Sequence, residues 1–321
     1  MIAQQPDLNQ LPKELKPAFQ ELKVMQHLQQ AGFRKRFGFS CSRLFQIVFV
    51  LLFHQKNWFR LLESNKAESF PGKDAVYRFL NHAGFAWRRF LTALSITTLN
   101  KVNALTSADR VSAFIIDDSM FERNRSKAVE MLARFKDHAT GAFYKGFRML
   151  TMGWSDGHTF LPLDFALLSS RNAQINGMNE KIDKRTSGYK RRQEALQSAP
   201  QVIASMLDRA LEAGATASYV LMDSWFTHAP LISEVVRRGL DVIGMVKNDN
   251  KRFLVQGRKL SLKELYAVAP RVDSKKRHIL RSIRTELACG IPVLVVFVRH
   301  RTNKNEWLAI LTTDLTLTVE E

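Results

Sequence analysis

The sequence predicts an α/β protein: a mixed sheet carrying a β-rich insertion, preceded by a helical region. Three observations predict it. Apolar residues recur at three- and four-residue steps through the first hundred positions, the period of a helix with one buried face. From about Thr106 short β-branched and aromatic runs alternate with helical patterns, as in a sheet with a largely parallel component. Beyond Lys247 strand patterns dominate.

The elements follow in order. Leu15, Phe19, Leu22, Met25 and Leu28 lie on one helical face that Gly32 stops. A second helix is predicted from Ser42 to about Leu62. Pro71-Gly72 punctuates, Asp74 caps a helix carrying Val76, Phe79 and Leu80, and a fourth apolar pattern runs from Trp87 to Leu99. Val111–Ile116, Phe147–Trp154 and Thr159–Leu168 read as strands, the last two joined through the turn signal Ser155-Asp156-Gly157-His158. A basic, polar connection follows from Ser169 to Ser198. Pro200 then opens a helix over Gln201–Ala213, followed by strand Tyr219–Met222, helix Ala229–Arg238 and strand Val242–Val246. Phe253–Lys259, His278–Leu287, Val293–Arg299 and Trp307–Thr312 are predicted strands, the last returning to the main sheet.

A chain of 321 residues with 45% hydrophobic and 24% charged residues has the composition of a globular protein of roughly two domains, not of a disordered or coiled-coil chain. Its 48 Lys and Arg against 30 Asp and Glu leave a net charge of +18, which points to a polyanionic partner, nucleic acid first. Cys41 and Cys289 are too few for a disulfide framework or a cysteine zinc site, and both are expected to be buried thiols of a reducing compartment. The most apolar stretch, Leu44–Phe53, is far short of the ~20 residues that span a bilayer. Neither a membrane segment nor a signal peptide is predicted, and the expected location is the cytoplasm. Phosphate-binding and dinucleotide-binding glycine motifs are absent from the sequence, which disfavours ATP-driven and redox chemistry. The eight histidines show no metal-ligand spacing.

The sharpest chemical signal is an acid at the end of each of two apolar runs. Phe114-Ile115-Ile116 leads into Asp117-Asp118-Ser119, and Tyr219-Val220-Leu221-Met222 leads into Asp223-Ser224. Carboxylates emerging at the carboxyl edge of adjacent strands can share a divalent cation, the arrangement for metal-dependent phosphoryl transfer. The competing reading is that each Asp caps the turn after its strand. Spacing does not choose between Asp117 and Asp118. Lys145 is a candidate phosphate contact, as are the basic residues of the 169–198 connection, Lys190, Arg191 and Arg192 among them. Trp225 and Phe226 are expected to pack beneath the site, with stacking on an extruded base as the alternative for them.

Ile116-Asp117-Asp118-Ser119, then Tyr144-Lys145-Gly146, then Leu221-Met222-Asp223-Ser224-Trp225 resemble, in that order, the DDE transposases of bacterial insertion sequences, family four type. Ala75-Val76-Tyr77-Arg78-Phe79-Leu80 is similar to the Tyr-Arg-Phe helix of that family's DNA-binding region. The resemblance runs from about Pro71 onward. It implies a ribonuclease-H-like catalytic domain at 106–321 with a β-rich insertion at about 248–306, behind a helical DNA-binding region at 1–105. It also implies Mg2+ (or Mn2+), double-stranded DNA as terminal inverted repeats and target, and strand transfer by a homodimer in a synaptic complex. On this resemblance Asp118, which precedes the hydroxyl residue Ser119, is the first catalytic acid with Asp117 as alternate. Asp223 is the second, and Tyr77 and Arg78 contact DNA. The family's third acid, a Glu in a Tyr-x2-Arg-x3-Glu-x6-Lys pattern, has no counterpart before Glu321. The resemblance therefore implies truncation before the final catalytic helix, and this truncated chain is expected to be inactive without the third acid. The alternative function is a non-catalytic DNA-binding protein or transposase remnant acting as a regulator.

Overall fold

A computed structural model describes residues 13–53, 57–63, 70–107, 109–137, 141–273, 276, 278–303 and 305–320. The chain opens with helices α1 (Leu15–Glu21), α2 (Val24–Gln30), α3 (Cys41–Phe53), α4 (Trp58–Leu62), α5 (Lys73–Leu80) and α6 (Trp87–Leu105). Strands β1 (Ala113–Glu122), β2 (Ala133–Lys136), β3 (Phe143–Ser155) and β4 (Phe160–Leu168) follow. Next come α7 (Ser187–Glu194), α8 (Ala199–Glu212), β5 (Tyr219–Met222), α9 (Ala229–Val236) and β6 (Asp241–Val246). The rest is β7 (Phe253–Val255), β8 (Arg258–Leu260), α10 (Leu262–Val268), β9 (Ile279–Leu287), β10 (Pro292–Arg299) and β11 (Trp307–Thr312).

Several of these depart from the sequence prediction. The first predicted helix is broken at Lys23, whose φ of 52° lies in the left-handed region and separates α1 from α2. The predicted strand Phe253–Lys259 is a hairpin instead, because Gln256 and Gly257 take φ of 48° and 78° and turn β7 onto β8. Helix α7 forms where the sequence reads as a polar connection, and α10 where strand patterns dominate. Both carry local caps, Thr186 Oγ1 accepting from the Tyr189 amide and a Ser261/Glu264 capping box. Cys41 is buried as expected, but Cys289 is exposed, since it lies in the turn after β9.

The chain divides into two compact units. The first holds the described residues up to Leu105 together with Arg123–Gly146 and Ser169–Leu196, so β2 and α7 cluster with the N-terminal helices although they lie within the 106–321 segment. Its core is aromatic. The Phe33 ring lies 4.5 Å from Phe85, 4.6 Å from Trp87, 5.9 Å from Phe79 and 6.1 Å from Phe90. Such pairs, stacked for Phe85 and edge-to-face for Trp87 and Phe90, add to area burial. Helix α7 joins this unit through the Gly188 amide, which donates to the Ala83 carbonyl at 2.7 Å, and through an Arg88–Glu194 ion pair. A Cβ on Gly188 would come within 2.9 Å of the Ala83 Cα, so glycine is what allows the approach.

The second unit, Thr106–Glu122, Phe147–Leu168 and the residues from Gln197 on, is built on a mixed sheet in the order β4-β3-β1-β5-β6-β11-β10-β9-β7-β8. β1, β5 and β6 run parallel, while β11 lies antiparallel to β6 and β4 antiparallel to β3. The sheet is mixed, and strands β7 to β10 extend it beyond β11. One register row shows why: Ile116, Met222, Gly244, Leu311 and Val295 are successive partners across five strands and all are buried. Alternation then places every second residue of each strand in the same core layer. Helix α8 packs on β4, α9 on β6, and the two on each other. The Arg209 Nε to Asp164 Oδ2 bond of 2.7 Å ties α8 to β4 at a nearly buried carboxylate.

Candidate active site

Parallel pairing aligns the backbone just before the candidate acids. The last β1/β5 partners are Ile116 and Met222, so the next residues, Asp117 and Asp223, are level on neighbouring strands, where Cα atoms stand about 4.8 Å apart. β1 does not stop there. It continues to Glu122 beside β3, so the first acids lie within a strand and only Asp223 lies at a strand end. The pleat separates the two acids of β1: Asp117 is exposed, whereas Asp118, on the face that carries Phe114 and Ile116, is half-buried.

Asp118 and Asp223 differ in their partners. Asp118 Oδ2 accepts from Arg148 Nε at 2.7 Å and pairs with Arg148 Nη2 at 2.6 Å, with side chains only 18% and 24% exposed. Asp223 Oδ1 accepts from the amides of Trp225 at 2.9 Å and Phe226 at 3.2 Å, so this acid does cap the turn that follows its strand. The Thr227 hydroxyl closes the same turn by donating to the Asp223 carbonyl at 2.7 Å. Thr227 is buried against Gly244, where an added Cβ would lie 2.3 Å from Oγ1.

Phe226 packs in the core at 1% exposure, as expected, but Trp225 does not: the residue is 40% exposed. The Arg148 guanidinium lies 5.8 Å and the Lys247 ammonium 5.5 Å from the ring centroid, within cation–π range. Arg148 and Lys247 are the two residues that sequence reasoning missed. Lys247 follows Val246 directly at the carboxyl end of β6, the same kind of position that singled out Asp223. Arg148 is a cation between the apolar residues Phe147 and Met149 of β3.

The other candidates lie in the first unit. Tyr77 and Arg78 are exposed on α5, Arg78 Nε donating to the Asp74 carbonyl at 3.3 Å. Lys145, half-buried on β3, stands opposite Arg134, and its amide donates to Asn124 Oδ1 at 2.9 Å. Because α7 is a helix, Lys190, Arg191 and Arg192 point different ways. Lys190 is exposed. Arg192 pairs with Glu130 at 2.6 Å and donates to the Gly188 carbonyl. Arg191 is half-buried with an unpartnered Nε, and burial, with Arg88 and Arg192 nearby, pushes its pKa below the usual arginine value. Burial raises the Glu130 carboxyl, but the bonds from Arg192 and the Asn179 amide outweigh it and hold the pKa low.

Among the described residues no three His, Cys, Asp or Glu side chains converge as a metal site, and no helix is long and apolar enough to cross a membrane. The pair of acids nonetheless fits a hard divalent cation, which takes oxygen donors and, for Mg2+, commonly retains waters beside one or two carboxylates.

No curated protein sequence matches the chain. Among solved structures it is similar to a piggyBac transposase synaptic complex with hairpin DNA, at 13% identity and a TM-score of 0.35, covering 92% of this chain and 51% of that one. It is also similar to the Drosophila P element transposase strand transfer complex, at 11% identity and a TM-score of 0.30, covering 81% of this chain and 57% of that one. The chain thus spans little more than half the length of either. The model of the DDE superfamily endonucleases matches residues 41–263, more than half of the sequence and all of the strands that carry Asp117, Asp118, Arg148 and Asp223. The chain belongs to the DDE superfamily endonuclease family.

Proposed function

We propose that this protein is a DNA transposase that cuts and joins phosphodiester bonds at the ends of an insertion sequence. The observation that supports the reading is the β1/β5 register, whose last partners, Ile116 and Met222, directly precede Asp117-Asp118 and Asp223 on the carboxyl side of a parallel strand pair. Asp223, with Asp118 or Asp117, would hold Mg2+ or Mn2+. When bound, that ion supplies activation of a water or 3′-hydroxyl and neutralisation of charge on the leaving oxygen. The protein's own part is positioning. The turn fixed by Thr227 and the Trp225 and Phe226 amides holds Asp223 in place, and Arg148 and Lys247 offer cations for backbone phosphates. Double-stranded DNA, as terminal inverted repeats and target, would be gripped by exposed cations of the first unit such as Arg78 and Lys190, with a homodimer bringing two ends together.

The test is nicking of supercoiled plasmid in Mg2+ or Mn2+ against EDTA. The expected outcome is metal-dependent nicking that Asp223→Asn reduces at least a hundredfold, on the order of 3 kcal/mol of transition-state stabilisation. Nicking that persists in this variant removes Asp223 from the mechanism.

A second reading is supported by the Arg148–Asp118 ion pair and by the capping role of Asp223. On it the protein is a non-catalytic DNA-binding regulator whose acids are structural. It expects DNA binding with no cleavage and no Mn2+ affinity that depends on Asp223.

A further inference from the structure

We propose that Arg148 is the counter-ion that Asp118 exchanges for a divalent cation, and that the displaced guanidinium then takes up a phosphate oxygen of the DNA backbone. The proposal rests on the reading of Asp118 and Asp223 as metal ligands and adds what must happen before they act. Arg148 places both Nε and Nη2 on a single carboxylate oxygen, Asp118 Oδ2. A cation approaching that oxygen meets a fixed positive charge within ordinary bonding distance, so the ion and the guanidinium exclude each other there. The ion pair is only partly solvated, so neither partner is neutralised by water alone.

The released guanidinium has somewhere to go. It already lies over the exposed Trp225 ring, which Lys247 also faces. The two cations and the ring form a positive surface next to the turn that begins at Asp223. A planar guanidinium is suited to two phosphate oxygens at once, which lysine is not. Metal entry and backbone grip are then linked, each favouring the other by the same factor.

The experiment is an Mn2+ titration of the whole protein without DNA, read by loss of the electron paramagnetic resonance signal of the hydrated ion. Arg148→Gln is expected to bind Mn2+ roughly tenfold more tightly than the unsubstituted protein, because no ion pair has to be broken. Lys247→Gln, which removes a neighbouring cation on the same ring but leaves the Asp118 ion pair intact, is expected to change affinity by about twofold or less. Arg148→Lys keeps the charge but loses the fork and should fall between. It also covers the case in which Arg148→Gln does not fold. Unchanged affinity in Arg148→Gln, or an equal gain in Lys247→Gln, overturns the exchange.

Two further variants separate this proposal from the reading beneath it. If Asp117→Asn abolishes binding and Asp118→Asn does not, the exchange is wrong while the metal site survives on the other acid. If Asp223→Asn also leaves affinity unchanged, the metal site itself is wrong. The phosphate half is read with a duplex oligonucleotide in Ca2+ and in EDTA. The gain in DNA affinity that the ion brings should be at least about fivefold larger for the unsubstituted protein than for Arg148→Gln. Equal gains overturn that half.

Discussion

Gly244 is a core residue without a side chain because the Thr227 hydroxyl occupies the space a Cβ would need, 2.3 Å away. The same hydroxyl donates to the Asp223 carbonyl, so a glycine in β6 sets the turn that begins at a candidate catalytic acid in β5. Gly244→Ala cannot be absorbed by rotating a flexible side-chain end, since Thr227 is β-branched and buried. The substitution is expected to destabilise the fold by about 1–3 kcal/mol and to lower metal-dependent nicking by more than that loss of folded protein accounts for. Urea unfolding alongside nicking of the folded fraction checks it, and a stability loss with unaltered specific activity would show that the turn does not depend on Thr227. At this scale the sequence is an uneven guide. Asp223 is legible because an acid directly after an apolar run has few alternatives. Arg148 is not, because a cation in a strand reads as a solvated side chain until its partner, 30 positions away, is known. Asp117 and Asp118 are inseparable because the pleat assigns them to opposite faces only once the extent of β1 is fixed.

The β3/β4 hairpin shows what an element adds. Its turn is legible from Asp156-Gly157, and in the structure Asp156 Oδ1 accepts from the amides of His158 at 3.0 Å and Thr159 at 2.7 Å while Oδ2 meets Arg110 at 2.6 Å. The Thr159 amide, then the Arg110 guanidinium, hold the carboxyl well below its ordinary value of 3.8. A carboxylate whose pKa is depressed by folding stabilises the native state above its unfolded pKa, and that contribution is lost as the pH falls through the folded one. Stability should therefore hold from neutrality to about pH 4 and decline below it. Asp156→Asn should lower stability at pH 7 and flatten the acid limb, as measured by urea unfolding at pH 7, 4 and 3. An unchanged acid limb would assign the decline to other carboxylates. Strands β5 and β11 are legible to the residue, being apolar runs between clear breaks. Helices α7 and α10 are not. The basic sequence of α7 has too weak an apolar face to show a period, and its helix is secured by tertiary partners, Ala83 and Arg88, that no local pattern reveals.

Over the whole molecule the charge is divided as sharply as the chain. Residues 1–105, 123–146 and 169–196 carry 28 of the 48 Lys and Arg but only 11 of the 30 Asp and Glu, a net +17, which leaves +1 for the second unit with its 20 cations and 19 acids. The sequence discloses the excess but not this division, because the first unit is assembled from three separate stretches. A near-neutral unit suits a site that must hold carboxylates and a divalent cation. A strongly positive one suits a surface that displaces counterions from a duplex. On the proposed function, most of the salt dependence of DNA binding belongs to the first unit, with the Arg148 and Lys247 contacts adding to it. Each DNA phosphate that is no longer neutralised should reduce the slope of log K against log salt by about 1. Replacing the exposed Arg34, Lys35 and Arg36 together by Gln is expected to reduce that slope by up to about 3 and to weaken binding to all duplexes alike. Replacing the exposed Arg258, Lys259 and Lys263 of the second unit by Gln removes the same formal charge and is expected to reduce it by less than about 1. Fluorescence anisotropy of a labelled duplex across a salt series measures both. Equal reductions would mean that DNA responds to the net charge of the molecule, and the first unit would lose its role as the surface that grips the backbone.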